Sequence, residues 1–393
     1  DDVFISGREE NLAALDSHPN IEVRIFNPWK NRGSLLRYAL EFLGNKQLNH
    51  RMHNKLFVAD NHVAIVGGRN IGNPYFGMAE KYNFRDLEVI AVGPVAEEIS
   101  HSFDIFWNDS WARPGKSFSP PGKLLPPLDE AREFLTEKLD DSKVSIVQQL
   151  KQPQDWHTQR QEISESSSEG TVWVVFDDPP SQTTQGEGVR KVDNLRDLTK
   201  SITEELIIAS PYFIPTPVFM SDLQNLTKQG IRIKVLTNSL ASTNHTIVNS
   251  GYAPWRRRLL EAGVELYEYR SDPTERRQID APGILSKIVT LHSKTFVIDR
   301  ETIYIGSLNM DPRSFRINSE MGLVIQDRKL ADQVTDMLET DMSPENAGRV
   351  KLDKEDHLVW ESSAGKTNMQ PARHFGQRIA DFFYGLLPIK DQL

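Results

Sequence analysis

His53 stands two residues before Lys55, and His292 two residues before Lys294, in segments that repeat one another. Residues 53–70, HNKLFVADNHVAIVGGRN, align without a gap with 292–309, HSKTFVIDRETIYIGSLN. Both read His-x-Lys, four residues, Asp, six residues, Gly, a small residue, any residue, Asn. At ordinary residue frequencies such a pattern arises by chance in roughly one chain in ten thousand of this length, so two copies mark an internal duplication. In an extended strand residues two apart share a face, which puts each imidazole beside a fixed cation. Two histidines suit phosphodiester cleavage: one attacks phosphorus to give a phosphohistidine, the other protonates the departing alcohol. Lys55, Lys294, Asn70 and Asn309 supply donors for the non-bridging oxygens, where charge accumulates, so that no metal or other cofactor is called for.

The elements that must position these groups follow from the pattern around them. LFVAD with VAIVGG, and TFVID with TIYIG, read as hairpins turning at Asp60 and Asp299, which bring Asn70 and Asn309 back to the level of their histidines. Asp60 and Asp299 are therefore assigned a structural role in the turns. Downstream, DLEVIAVG (86–93) and EMGLVIQD (320–327) are strand-like and open on an acid. Asp86 and Glu320 are the candidates to hold the second nitrogen of each histidine. Strands alternate with helices in both halves, implying an α/β fold of two repeats, each a mixed sheet flanked by helices. The divisions are 1–113 for the first repeat, 114–171 for a connection, 172–350 for the second repeat and 351–393 for a C-terminal extension.

Both cassettes resemble the paired HKD motifs of the phospholipase D superfamily. That resemblance implies a pseudo-twofold axis and one shared active site formed by His53, Lys55, Asn70, His292, Lys294 and Asn309. The first cassette has Gly67-Gly68 where the family pattern prefers Gly-Ser, and the hydroxyl supplied in the second copy by Ser307 is expected to touch phosphate. More narrowly, GGRNIGNPYF, ASPYFIPTP, LTNSLASTN, GSLNMDPRSFRINSE and the ending LLPIKDQL resemble bacterial cardiolipin synthases, especially the C type. The resemblance implies phosphatidyl transfer between phospholipids, at the cytoplasmic face of a bacterial inner membrane, peripheral or anchored by a segment ahead of residue 1. A hydrolytic phospholipase D or nuclease would use the same motifs, and a noncatalytic scaffold would keep only the fold. Arg313, with Arg316 near it, and Tyr212 are candidates for substrate binding.

Composition sets outer bounds. The 393-residue chain is 38% hydrophobic and 26% charged, with seven Trp, as folded globular proteins are. It has no cysteine, which removes thiolate chemistry and disulfides. A net charge of -9 argues against a nucleic-acid partner. No run approaches the roughly 18 apolar residues that a membrane span requires. No protein partner is implied.

Three further expectations concern the periphery. The polar stretch KQPQDWHTQRQEISESSSEG reads as part of the connection between the repeats, with its Ser/Glu run a solvated loop, and Arg256 to Arg258 in WRRRLL as a solvated helix face. Phe375, Ile379, Phe382, Phe383 and Leu386 fall on one helical face, expected to pack on its own domain, with an interfacial helix on a bilayer as the alternative. The unit ELIIASPYF, PVFMSDLQNLTKQG, IRIKVLTN has no counterpart in the first half, so a matching strand-helix-strand unit is expected upstream of Asp1.

Overall fold

The computed structural model describes residues 9–28, 46–115, 127–140, 152, 155–182 and 191–387. The Pro-rich run 119–126 and the last six residues of the LLPIKDQL ending lie outside them.

The second half builds a ten-stranded sheet. Its order runs Gly365–Thr367, Leu358–Ser362, Ala347–Leu352, Glu265–Tyr269, Arg232–Asn238, Glu205–Ala209, Thr295–Ile298, Thr302–Gly306, Met321–Gln326, Thr171–Phe176. Only the two pairings among the strands at 205–209, 232–238 and 265–269 are parallel, and the others are antiparallel. Residues 351–367, anticipated as part of an extension, thus continue this sheet. The first half contributes a three-stranded antiparallel sheet, Leu56–Ala59, Val63–Gly67 and Glu88–Val92, which repeats the strands at 295–298, 302–306 and 321–326.

The two hairpins turn alike. Asp60 and Asn61 both have positive φ (51° and 58°), as do Asp299 and Arg300 (52° and 54°). Asp and Asn tolerate this left-handed conformation better than other non-glycine residues, which fixes each turn and the strand register that follows. Asp299 also accepts from the backbone N–H groups of Thr203, Glu204 and Glu205, tying the turn to the start of the neighbouring strand.

The two halves share one core. Ala64, Val66, Ala96 and Ile99 of the first pack with Ile207, Val289, Leu291, Val297, Ile303, Ile305 and Leu323 of the second. The outer face of the small sheet differs from its counterpart. Phe57 is 62% exposed, whereas the matching Phe296 stacks on Tyr304 in a core that includes Met220 and Leu223 of the helix Pro217–Lys228. Among the described residues no strand pairs with the free edge of Leu56–Ala59, whereas Thr295–Ile298 pairs there with Glu205–Ala209.

Three peripheral expectations are corrected. The Ser/Glu run is a solvated loop only from Ser167 onward, since its first residues end a helix, Trp156–Ser166, that the Asp155 carboxylate starts by accepting from Thr158 N. Arg256 is not solvated: it is 2% exposed, with its Nε 2.5 Å from Glu268 Oε1. The helix Phe375–Gly385 buries only Gln377, and its apolar stripe faces outward. Among the described residues, no helix is long and apolar enough to cross a membrane.

Candidate active site

The site forms where the halves exchange backbone hydrogen bonds. His53 N donates to Ser319 O at 2.9 Å, and Met52 bridges Ser319 in parallel, so His53 is set beside Glu320. In the matching place His292 N donates to Arg85 O at 2.7 Å, and Val289–Leu291 pairs in parallel with Asn83–Arg85, so His292 is set beside Asp86. The segment leading to each histidine is thereby paired with the segment leading to the opposite half's acid.

The side chains complete the exchange. His53 Nδ1 lies 2.8 Å from Glu320 Oε2, and His292 Nδ1 lies 2.7 Å from Asp86 Oδ2. Donation from Nδ1–H to a carboxylate selects the tautomer that leaves the lone pair on Nε2. Burial pushes both acids upward, but the histidine and lysine contacts more than offset it, so Asp86 and Glu320 are held ionised below the usual carboxylate range. Burial, reinforced by Lys294, lowers His292 to about 3 against the pull of Asp86. Burial also lowers His53, with Glu320 opposing it. Both imidazoles therefore favour the neutral form at neutral pH.

Lys55 Nζ donates to His53 O at 2.7 Å, and Lys294 Nζ to His292 O at 2.5 Å. Burial lowers these ammonium groups to about 8 and about 7. The asparagines are not equivalent. Asn309 is 4% exposed and its Oδ1 has no partner, whereas Asn70 is exposed and donates to Tyr75 OH at 2.7 Å.

Ser307 does not play the part anticipated for it. Its hydroxyl is buried and donates to Glu320 Oε2, so it holds the acid that holds His53. The matching Gly68 is needed for space: a Cβ there would lie 2.3 Å from Asp86 Oδ1. The Gly-Gly variant of the motif thus accommodates a carboxylate where the Gly-Ser copy hydrogen-bonds one.

Arg313 donates to Asn49 O at 2.7 Å and to Asn49 Oδ1 at 3.1 Å, which joins the two halves. Arg316 is exposed and lines an apolar cavity of about 450 Å³ with Phe219, Phe296 and Phe315, to which neither histidine contributes. Tyr212 donates its hydroxyl to Asn244 Oδ1 at 3.1 Å and meets His245 edge-on. Asp60 is exposed at its turn, and Asp299 is engaged by the strand beside it.

The sequence reading gave no role to Tyr75 or Phe84. The Tyr75 ring meets His292 edge-on at 5.2 Å and stacks on Phe84 at 4.4 Å, and Phe84 lies 4.7 Å from His292. Burial raises the Tyr75 phenol to about 12, so it stays protonated. Tyr75 lies in GGRNIGNPYF, but nothing in its spacing says that it folds back over the other half's histidine. Among the described residues no three His, Asp or Glu side chains converge on a metal site.

A family model described as cardiolipin synthase, PLD-like domain, matches residues 195–342. The chain is 36% identical to cardiolipin synthase C of Escherichia coli K12 over 99% of its own length and 83% of that protein. It is 28% identical to cardiolipin synthase A of Pseudomonas putida GB-1 over 75% of its length, but spans only 48% of that relative. The fold is similar to phosphatidylserine synthase of Haemophilus influenzae Rd KW20, with a TM-score of 0.52 and 16% identity over 78% of this chain and 64% of the other. By its identity to cardiolipin synthase C along nearly all of its length, the chain belongs to the cardiolipin synthase family of phospholipase D-like proteins.

Proposed function

We propose that this protein transfers a phosphatidyl group from one phospholipid to the headgroup hydroxyl of another, the reaction that forms cardiolipin. The observation that carries the reading is the crosswise pair of carboxylate-held histidines flanked by two buried lysines. The identity to a cardiolipin synthase supplies the substrate class.

In the first step His53 Nε2 attacks phosphorus, a P–N bond forms and the bond to the headgroup oxygen breaks. His292, protonated in the complex, gives its proton to that oxygen. Burial, with the two lysine charges adding to it, disfavours this proton, and the negative charge of the bound diester favours it. In the second step the acceptor hydroxyl passes its proton to His292 and attacks phosphorus, which releases His53. Its partial exposure, 24% of the side chain, supports His53 as the nucleophile. Lys55, Lys294, Asn70 and Asn309 bind the non-bridging oxygens. The substrates place the enzyme at a membrane surface, by resemblance the cytoplasmic face of a bacterial inner membrane.

The test is product analysis with defined donor and acceptor phospholipids in vesicles. A joined product carrying two phosphatidyl groups is expected, and phosphatidic acid as the sole product across all acceptors would establish a hydrolase instead. Trapping the phosphoenzyme on His292 would reverse the two histidine roles.

A further inference from the structure

The helix Phe375–Gly385 is attached by its polar side. Gln377 Nε2 donates to Leu240 O at 2.6 Å, and Asn249 Nδ2 donates to Asp381 Oδ1 at 2.8 Å. Gln370 Nε2 donates to Asp381 Oδ2 at 3.2 Å, and His374 Nδ1 caps the first turn by accepting from Gln377 N. Phe375, Ile379, Phe382 and Phe383 point the other way and are 71%, 44%, 66% and 61% exposed, and Leu386 just beyond is 66% exposed. These positions form one continuous stripe. An exposed aromatic stripe on a well-anchored helix marks a surface that meets an apolar partner.

The charges favour a lipid surface as that partner. The helix's one carboxylate, Asp381, is turned inward and hydrogen-bonded. Arg373 donates to Thr243 O and Arg378 to Gln370 O, and among the described residues neither guanidinium pairs with a carboxylate. An apolar stripe edged by uncompensated cations fits the interface of an anionic bilayer, where rings enter the acyl boundary and arginines meet phosphates. A second copy would instead set one cationic margin against another.

The helix is also tied to a loop that connects to the site. Leu240 and Thr243, to which it is tied, belong to the loop whose Asn244 accepts from Tyr212. Ser242 of that loop accepts from Thr290, two residues before His292. We propose that the helix Phe375–Gly385 docks the enzyme on an anionic phospholipid bilayer, its aromatic stripe buried at the interface and the active site held beside the surface. The proposal rests on the phospholipid reading for the purpose of the docking, but membrane contact by this helix is measurable without turnover.

The chain has no cysteine, so Phe382→Cys can carry an environment-sensitive dye as a single label. With vesicles of phosphatidylglycerol and phosphatidylcholine, a blue shift and co-sedimentation are expected, both weakened by salt and by omission of phosphatidylglycerol. Phe382→Ser with Phe383→Ser should lower vesicle affinity at least tenfold with no change in thermal midpoint. Turnover of vesicle lipid should fall with it, while turnover of a short-chain phospholipid below its micellar concentration is retained. Undiminished vesicle binding by the double variant overturns the proposal, as does a dimer of the parent protein that the same substitutions dissociate. Vesicle binding lost in the variant, together with no transfer by the parent on any lipid, sustains the docking helix and refutes the functional reading.

Discussion

His53, in the first half, is held at 2.8 Å by Glu320, in the second. With His292 held by Asp86, neither half contains a complete histidine pair of its own. Glu320→Gln should lower kcat by up to about 10⁴-fold, the loss seen when a catalytic histidine's orienting carboxylate is replaced by its amide. The diagnostic is coupling across the halves. Adding Glu320→Gln to His53→Ala should cost little more than His53→Ala alone, because both act through one imidazole. Independent, additive losses would contradict the pairing.

Gly68 and Ser307 occupy matching places, yet they are not exchangeable. The Cβ of Gly68→Ala would lie 2.3 Å from Asp86 Oδ1, so the carboxylate that holds His292 through its Oδ2 must move. A loss of tenfold or more in kcat is expected, with little change in stability. Ser307→Ala instead removes a donor from buried Glu320 and should lower both activity and stability, the latter by about 1–3 kcal/mol. Steady-state kinetics and denaturant unfolding on both variants separate the two effects. Full activity in Gly68→Ala would show that the contact is not limiting.

The buried Glu268 network makes a prediction about stability alone. Glu268 accepts from Arg256 at 2.5 Å, Trp360 Nε1 at 2.8 Å and Tyr252 OH at 3.0 Å. Arg256 in turn reaches Gln370 and Asn249, so the network ties the C-terminal strands and the segment before the last helix to the sheet. Glu268→Ala strands a buried guanidinium and should cost about 3–5 kcal/mol. Glu268→Ala with Arg256→Met should recover part of that loss in thermal unfolding.

The repeat made the paired His-x-Lys segments legible because it fixes residue type and spacing at once: the placement of His53 beside Lys55, of His292 beside Lys294 and both hairpin turns follow from local geometry. It is silent on partnership across space. The strand-like runs that follow the two segments open on Asp86 and on Glu320, but nothing in them says that each acid serves the other half's histidine. Ser307 was misread for the same reason, since its hydroxyl meets Glu320 only after the strands pair. Arg256 looked solvated because charge in a helix usually is, and its carboxylate lies on a separate strand. The last helix showed its apolar stripe in sequence, but amphipathicity leaves open which side faces the protein, and the polar anchors Gln377 and Asp381 decided that.

The donor set also bears on metals. Two lysines in the site repel a divalent cation, and both acids are engaged by histidines. Activity should therefore survive EDTA. Inactivation by EDTA that a single divalent ion reverses would refute the lysine-based account.

Lys294 links catalysis and stability with opposite signs. Burial lowers its ammonium from 10.5 to about 7, and that of Lys55 to about 8. In the proposed mechanism each binds phosphate oxygens as a cation, so kcat/KM should decline as pH rises through 7 to 8. Between about pH 7 and 10.5 the unfolded chain keeps the Lys294 proton that the folded chain has lost. The unfolded state then binds more protons, so this residue makes stability rise with pH across that window, and below it the full burden of a buried charge is present. Lys294→Met removes the charge at every pH. Its stability relative to the parent protein should be most favourable near pH 6 and decline steadily toward pH 10, as the parent sheds the proton. Urea unfolding of both proteins at pH 6, 8 and 9.5 measures this. An equal difference at all three values would mean that Lys294 keeps an ordinary pKa, and the alkaline fall in kcat/KM would then need another source.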